Sequence, residues 1–182
     1  LTPVETSLIF DLVPIKADAV KGRPVRFSLS ISQPRSSAIL DSDKVVVRPL
    51  PVVIQYYENI IWSDRIPKLI HRRITQAFED SGRIKSVGAR ADGFDSQYDL
   101  VLEIRDFQIE PSLQNVGVSK NALHAKVTIF AKLISERSAR VLRSIKITEI
   151  VEIKLESREN IALAFNEAFK KTTISLVNWT LK

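Results

Sequence analysis

Leu123, Ala125, Val127, Ile129, Ala131 and Leu133 place an apolar side chain at every second position without a break. Such a period of two puts all six side chains on one face of an extended strand, and a lone strand cannot bury that face. The flanking segments supply the neighbours. Val141–Lys154 follows after a turn over Ser135–Arg140, and the two strands pair naturally. Upstream, Leu100, Leu102 and Ile104 alternate in one phase, and Phe107 and Ile109 continue in the other. A change of phase inside one strand predicts a β-bulge near Arg105-Asp106. Three long strands that alternate, rather than run continuously apolar, read as an antiparallel sheet with one covered face.

The first part of the chain adds shorter strands. Leu8–Val13 and Phe27–Ile31 are separated by a Lys21-Gly22-Arg23-Pro24 turn. Val45–Arg48 and Val52–Tyr57 are punctuated by Pro49 and Pro51, which cannot donate to a ladder and belong at an edge or bend. Residues 33–42 read as a loop with one helical turn. A helix then starts after Trp62, with Ser63 as N-cap, Asp64 near the positive end of the dipole and Pro67 in the first turn. Ile66, Ile70, Ile74, Ala77 and Phe78 share one face, Arg65, Lys68 and Arg72 lie opposite, and Ser81-Gly82 ends it. A second helix, N-capped by Ser157, carries a core stripe of Ile161, Phe165, Phe169, Thr172, Leu176 and Trp179. Trp62 and Trp179 are expected to be structural anchors. Together these elements predict an α+β fold: a single antiparallel-dominated mixed sheet with two long amphipathic helices packed on one face. No linker or repeat divides the chain, so residues 1–182 are expected to form one domain.

Few functional classes fit this composition. The 182 residues contain no cysteine, which excludes a disulfide framework, a thiolate metal site and a cysteine nucleophile. The net charge of +6 is spread over the chain, and without a basic run interleaved with aromatics it does not describe a nucleic-acid binder. The longest apolar stretches fall short of the ~20 residues that span a bilayer. Leu1-Thr2-Pro3-Val4-Glu5 reads as the start of a trimmed chain. The two histidines, His71 and His124, lack a second ligand at metal spacing. Asp64 suits a helix start better than a general base, and Asp92, Asp95 and Asp99 read as turn residues. No catalytic, cofactor-binding or metal-binding residue is expected. One surface feature stands out. Leu163, Ile174 and Leu181 fall close together on the wheel of the second helix, opposite its core stripe, with Lys170 among them. This strip is either a candidate partner-binding surface for a protein, a second copy of the chain or a membrane, or a second buried face covered by a sheet edge or the N-terminal strand.

Several blocks carry a resemblance. They are Val45-Val46-Val47-Arg48-Pro49, Tyr56-Tyr57-Glu58-Asn59, and Trp62-Ser63-Asp64-Arg65-Ile66-Pro67-Lys68-Leu69, followed by Gln76-Ala77-Phe78-Glu79-Asp80-Ser81-Gly82. Tyr98-Asp99-Leu100, Glu103-Ile104-Arg105-Asp106-Phe107-Gln108, Ala164-Phe165-Asn166 and Val177-Asn178-Trp179 complete the series. In order and spacing they resemble the ABC-type transport auxiliary lipoproteins of Gram-negative bacteria, the alphaproteobacterial ones especially. The resemblance implies a non-catalytic protein on the periplasmic face of the cell envelope, held by a lipidated N-terminal cysteine in the outer membrane rather than the inner. It implies as partners an MCE-domain protein and the ABC permease and ATPase of the same system, with phospholipid as the candidate cargo and homo-oligomers left open. The alternative is a structural envelope lipoprotein that organises membrane contacts without handling substrate. Two departures from the family pattern are the missing lipidated cysteine and His71, which stands where glutamine is more usual.

Overall fold

The computed structural model describes residues 7–89, 92–112 and 122–182; the opening residues read as a trimmed start lie outside them. Among the described residues nine strands and two α-helices make up the fold. The strands are β1 (Leu8–Phe10), β2 (Val25–Ile31), β3 (Arg35–Ser36), β4 (Lys44–Leu50), β5 (Val53–Trp62), β6 (Ile84–Ala89), β7 (Tyr98–Pro111), β8 (Leu123–Ser135) and β9 (Arg140–Glu152). Helix α1 is Ile66–Asp80 and helix α2 is Arg158–Thr180. The α+β class expected from the sequence is the observed one.

The three long strands form the predicted meander. β8 pairs antiparallel with β7 from Leu123↔Pro111 to Ser135↔Tyr98, and with β9 from His124↔Glu152 to Ser135↔Arg140. Ile104 lies opposite Ile129 and Asp106 opposite Thr128, so Arg105 is the extra residue of a bulge where the phase change predicts one. The bulge has a plain purpose. Without it Phe107 and Ile109 would point away from the face that Leu100, Leu102 and Ile104 bury, and all five are buried.

The other edge of β7 departs from an antiparallel arrangement. It is shared end to end by three short strands, all parallel to it: β2 at Tyr98–Leu100, β3 at Glu103–Ile104 and β4 at Gln108–Ile109. β6 adds parallel to the far side of β2, and β4 continues through antiparallel β5 to parallel β1. Antiparallel pairing therefore describes the meander and the β4–β5 hairpin, and the five remaining pairings among the described residues are parallel. The parallel partners are separated by long connections, as crossover geometry requires.

Several sequence expectations shift at the helix starts and strand ends. α1 begins at Ile66 with Arg65 as N-cap, and no side chain caps it. Ser63 instead donates its hydroxyl to Asp11 Oδ1 at 2.8 Å. Pro67 lies in the first turn as expected, and Gly82, with φ of +62°, takes the left-handed conformation that closes the helix. β1 stops at Phe10 rather than Val13, because the chain turns away to meet α2. β6 is an unforeseen strand, its pattern broken by Lys85, Ser86 and Gly88. Ser157 caps α2 as predicted, accepting from the Asn160 N–H at 3.2 Å.

One hydrophobic core runs through these elements. At its centre Trp62, 1% exposed, stands with ring centroids 5.7 Å from Phe10, 5.1 Å from Phe107 and 5.2 Å from Phe165. Phe107 and Phe165 are 4.9 Å apart. Four rings thus tie β1, β5, β7 and α2 together. Trp179 plays a lesser part, half-buried under the Arg143 guanidinium 5.1 Å from its ring. Trp62→Ala should therefore cost about 3–5 kcal/mol, and Trp179→Ala clearly less. Chemical denaturation of the two variants checks this, and equal losses would contradict the assigned roles.

Candidate functional site

Two polar residues hold the N-terminal segment, one against α1 and one against α2. Asp11, just past β1, is the first. Its Oδ1 accepts from the Leu12 N–H at 2.9 Å as well as from Ser63, and its Oδ2 accepts from Arg73 Nη2 at 2.8 Å. Arg72 stands 3.7 Å away. Partial burial pushes the Asp11 carboxyl up. The Ser63 hydrogen bond, the Arg73 charge and the Leu12 N–H outweigh that and hold it below the ordinary carboxylate value.

Asn166 is the second. Its side-chain oxygen accepts from the Val13 N–H at 2.7 Å, and its amide nitrogen donates to the Asp11 carbonyl at 3.0 Å and to Ala162 O at 2.9 Å. One side chain thereby straps the backbone of residues 11–13 to the helix. Leu12 and Ile15 plug into the core on either side of Pro14, and a 3-10 turn at Ala17–Ala19 brings the chain back.

A cleft of about 390 Å³ is left between segment and helix, with Val13, Ile15, Lys16, Leu163, Asn166 and Lys170 among its walls. Val13 and Leu163 are each 65% exposed. Lys170 and Lys171 both reach Glu167, at 3.9 and 3.7 Å. The cleft therefore offers two apolar contacts within a mixed, internally balanced rim.

The structure divides the predicted strip. Leu163 and Lys170 are exposed and share the cleft. Ile174 is half-buried against the core. Leu181 is buried, at 4% exposure, with its carbonyl accepting from Arg83 Nη2 at 3.3 Å. It cannot belong to an exposed strip. Helical bonding still reaches Leu181, whose N–H donates to Val177 O at 3.0 Å, so it keeps its place on the wheel; the difference is that Arg83, after α1, bonds to this end of the helix.

The polar residues weighed as chemistry have structural partners. His71 Nε2 lies 2.9 Å from the Ile31 carbonyl. Asp64 accepts from the Arg65 N–H at 2.9 Å and pairs with Lys68 at 3.2 Å. Asp99 is not a turn residue: it is the second residue of β7, is 2% exposed and accepts from Ser30 and Ser32 hydroxyls at 2.9 and 3.0 Å, clamping β2 to β7. Sequence reasoning missed Asp11 and the strap by Asn166. Their one sequence signal was the Ala164-Phe165-Asn166 block.

One mixed sheet, an apolar cleft and a tethered N-terminal segment thus make up this scaffold. A family model for the ABC-type transport auxiliary lipoprotein component matches residues 10–175, and the chain belongs to that family. The chain is also 25% identical over 156 residues to an uncharacterised protein of Bradyrhizobium diazoefficiens, covering 85% of this chain and 39% of the relative, so it spans about two-fifths of that protein's length. A crystal structure from Xanthomonas campestris superposes with a TM-score of 0.82 at 26% identity, covering 96% of this chain and 95% of the other. A protein of Chlamydia trachomatis shares the fold at TM-score 0.56 and 5% identity, over 86% and 96% of the two chains. Membership of a lipoprotein family puts the chain at the cell envelope. Among the described residues no helix is long and apolar enough to cross a membrane.

The Asp11 interactions predict a pH dependence. A carboxyl depressed in the fold contributes stability above its unfolded pKa of about 3.9, and that contribution disappears as pH falls through the folded value. Asp11→Asn should accordingly be less stable than the parent near pH 6, with the gap closing towards about pH 3. Urea melts across that range check it, and a gap that widens on acidification would contradict it.

Proposed function

We propose that this chain is the non-catalytic, periplasm-facing accessory component of an ABC/MCE-type transport system that moves phospholipid across the envelope. It docks on the MCE-domain protein and is tethered in the outer membrane. The observation that carries this reading is the family match over residues 10–175. The geometry supports it through the Val13–Leu163 cleft, a preformed apolar contact held in shape by Asn166. Preformed surfaces bind with less ordering of loops and side chains.

The reading takes residues 1–182 as one domain, supported by the single contiguous core. It also takes both helices to lie on one face of the sheet, supported by the packing of α2 on β8 and β9 and its contact with α1. Leu163 and Lys170 are the part of the α2 surface assigned to the partner. In this role the permease and ATPase supply the energy, and the auxiliary chain supplies surface.

Co-expression of the whole system with a tagged lipoprotein tests the proposal. The MCE protein and permease should co-purify, and Leu163→Ser combined with Lys170→Glu should reduce their recovery about tenfold while leaving the melting temperature within a degree or two, as exposed positions allow. Recovery of neither partner with the parent chain would overturn the transport reading.

A further inference from the structure

Two loops leave the same end of the sheet, and each carries an apolar side chain into solvent. Val52, in the β4–β5 turn, is 91% exposed, and Leu155, between β9 and α2, is 85% exposed. No other large hydrophobic side chain among the described residues is as open. Leu50, beside the turn, is 58% exposed. The ladders place both loops. β4 runs parallel to β7 with Val47 opposite Ile109, and β7 ends at Pro111 opposite Leu123 of β8. β9 ends at Glu152, opposite His124. Leu50 lies three residues beyond Val47 and Leu155 three beyond Glu152, so both pass the last rungs at one end. In the order β4, β7, β8, β9, three strand spacings of about 14 Å in all separate them.

The hairpin tip leaves few polar groups unmet. Pro49 and Pro51 carry no N–H, and the Pro51 carbonyl accepts from Arg48 Nη1 at 2.8 Å. Leu50 and Val53 pair across the turn. From Val45 to Tyr57 the only charged side chain is Arg48. Tyr56, 41% exposed, follows about 10 Å behind Val53. A backbone group without a partner is costly in an apolar medium, and this tip has been relieved of several. An arginine and a tyrosine behind an apolar tip suit the boundary between acyl chains and headgroups. Leu155 is set in place by a different device. Its φ of +55° is one that leucine seldom takes. Asn160 Nδ2 holds it there, donating to Lys154 O at 2.5 Å and to Leu155 O at 3.1 Å.

We propose that this end of the domain rests on a phospholipid bilayer, with Leu50 and Val52 of the hairpin and Leu155 entering its acyl boundary. The direction of the first strand favours lipid over a protein groove. β1 runs parallel to β5 with Leu8 opposite Ile60, and β5 starts at the hairpin turn. The chain therefore enters β1 travelling away from the hairpin tip. In the reading proposed above a membrane tether precedes β1, and it then approaches from the side of the tip; on this point the inference rests on that reading. Two separate, protruding loops also suit a fluid surface, which needs no complementary shape. So few apolar side chains bind a bilayer weakly by themselves. The tether keeps the loops near the lipid, and the loops decide which end of the domain faces it.

The absence of cysteine from the chain lets a single probe report on each loop. A histidine tag ahead of Leu1 tethers the chain to vesicles of phosphatidylethanolamine and phosphatidylglycerol that carry a little nickel-chelating lipid. A polarity-sensitive fluorophore at Val52→Cys or Leu155→Cys should shift to the blue on tethering and be quenched by lipids brominated on the acyl chain. The same fluorophore at Arg137→Cys, exposed in the β8–β9 turn at the other end of the sheet, should do neither. Val52→Asp combined with Leu155→Asp should weaken vesicle affinity by about fivefold or more, with the melting temperature held within a degree or two, as exposed positions allow. An unshifted probe at Val52 or Leu155, or an equal shift at Arg137→Cys, would overturn the proposal. So would unchanged vesicle affinity in the double variant, and loss of the MCE protein by that variant would then assign the loops to a protein contact. Co-purification of the MCE protein and permease with the parent chain is a separate readout. Its failure strikes the transport reading, while shielded probes at both loops still support the membrane-facing end.

Discussion

Both edges of β7 are occupied, and the rest of the fold hangs on that double engagement. On one side β8 runs its full length; on the other β2, β3 and β4 share it end to end. A central strand satisfies its backbone groups on both sides, which is the condition for burying it. The Arg105 bulge lets one strand serve two regions of the core. The residues before it bury Leu100, Leu102 and Ile104, and those after it bury Phe107 against Trp62 and Phe165. The exposed Arg105 then lies with its guanidinium 4.2 Å from the Phe130 ring, 3.3 Å from Glu103. The irregular residue is thereby held by its neighbours on the outer face.

Given that spine, the two shorter branches of sheet need to be closed against each other, and polar clamps do much of this. Asp99 ties β2 to β7 through Ser30 and Ser32, and His71 reaches from α1 to the end of β2. Arg83, after α1, bonds Asn178 Oδ1 at 2.8 Å and the Leu181 carbonyl, fixing the end of α2. A buried acid or guanidinium is costly unless its hydrogen bonds are met. Here each one is met by a different element, so the clamps favour one arrangement of the branches over others.

What was legible in the sequence follows from which forces are local. Alternation in β8, the phase change in β7, the Ser157 cap and the Gly82 stop are written into neighbouring residues, and each appears where the pattern puts it. Parallel pairing is not local. β1 and β5, or β4 and β7, meet only after long connections, and their side-chain pattern is the same whichever way the neighbour runs. β6 carries too little alternation to be seen. The strip on α2 failed at Leu181 because a helical wheel does not show which distant segment, here the one carrying Arg83, meets that end of the helix. Asp99 was misread because a short acidic cluster looks alike whether its last member is in a turn or buried between two serines. The Asn166 strap was invisible for the same reason as the parallel strands: its partners lie at the other end of the chain.

The proposed partner surface depends on that last contact. Leu163 alone is a single exposed leucine, which soluble proteins tolerate without consequence. Val13 becomes its neighbour only because Asn166 holds the backbone on both sides of Leu12, and Leu12 is itself buried. Asp11 fixes the same segment from the other side through Ser63 and Arg73, so the position of Val13 is set jointly by α1 and α2. The chain that leads into the domain and the helix that closes it are thereby made one surface.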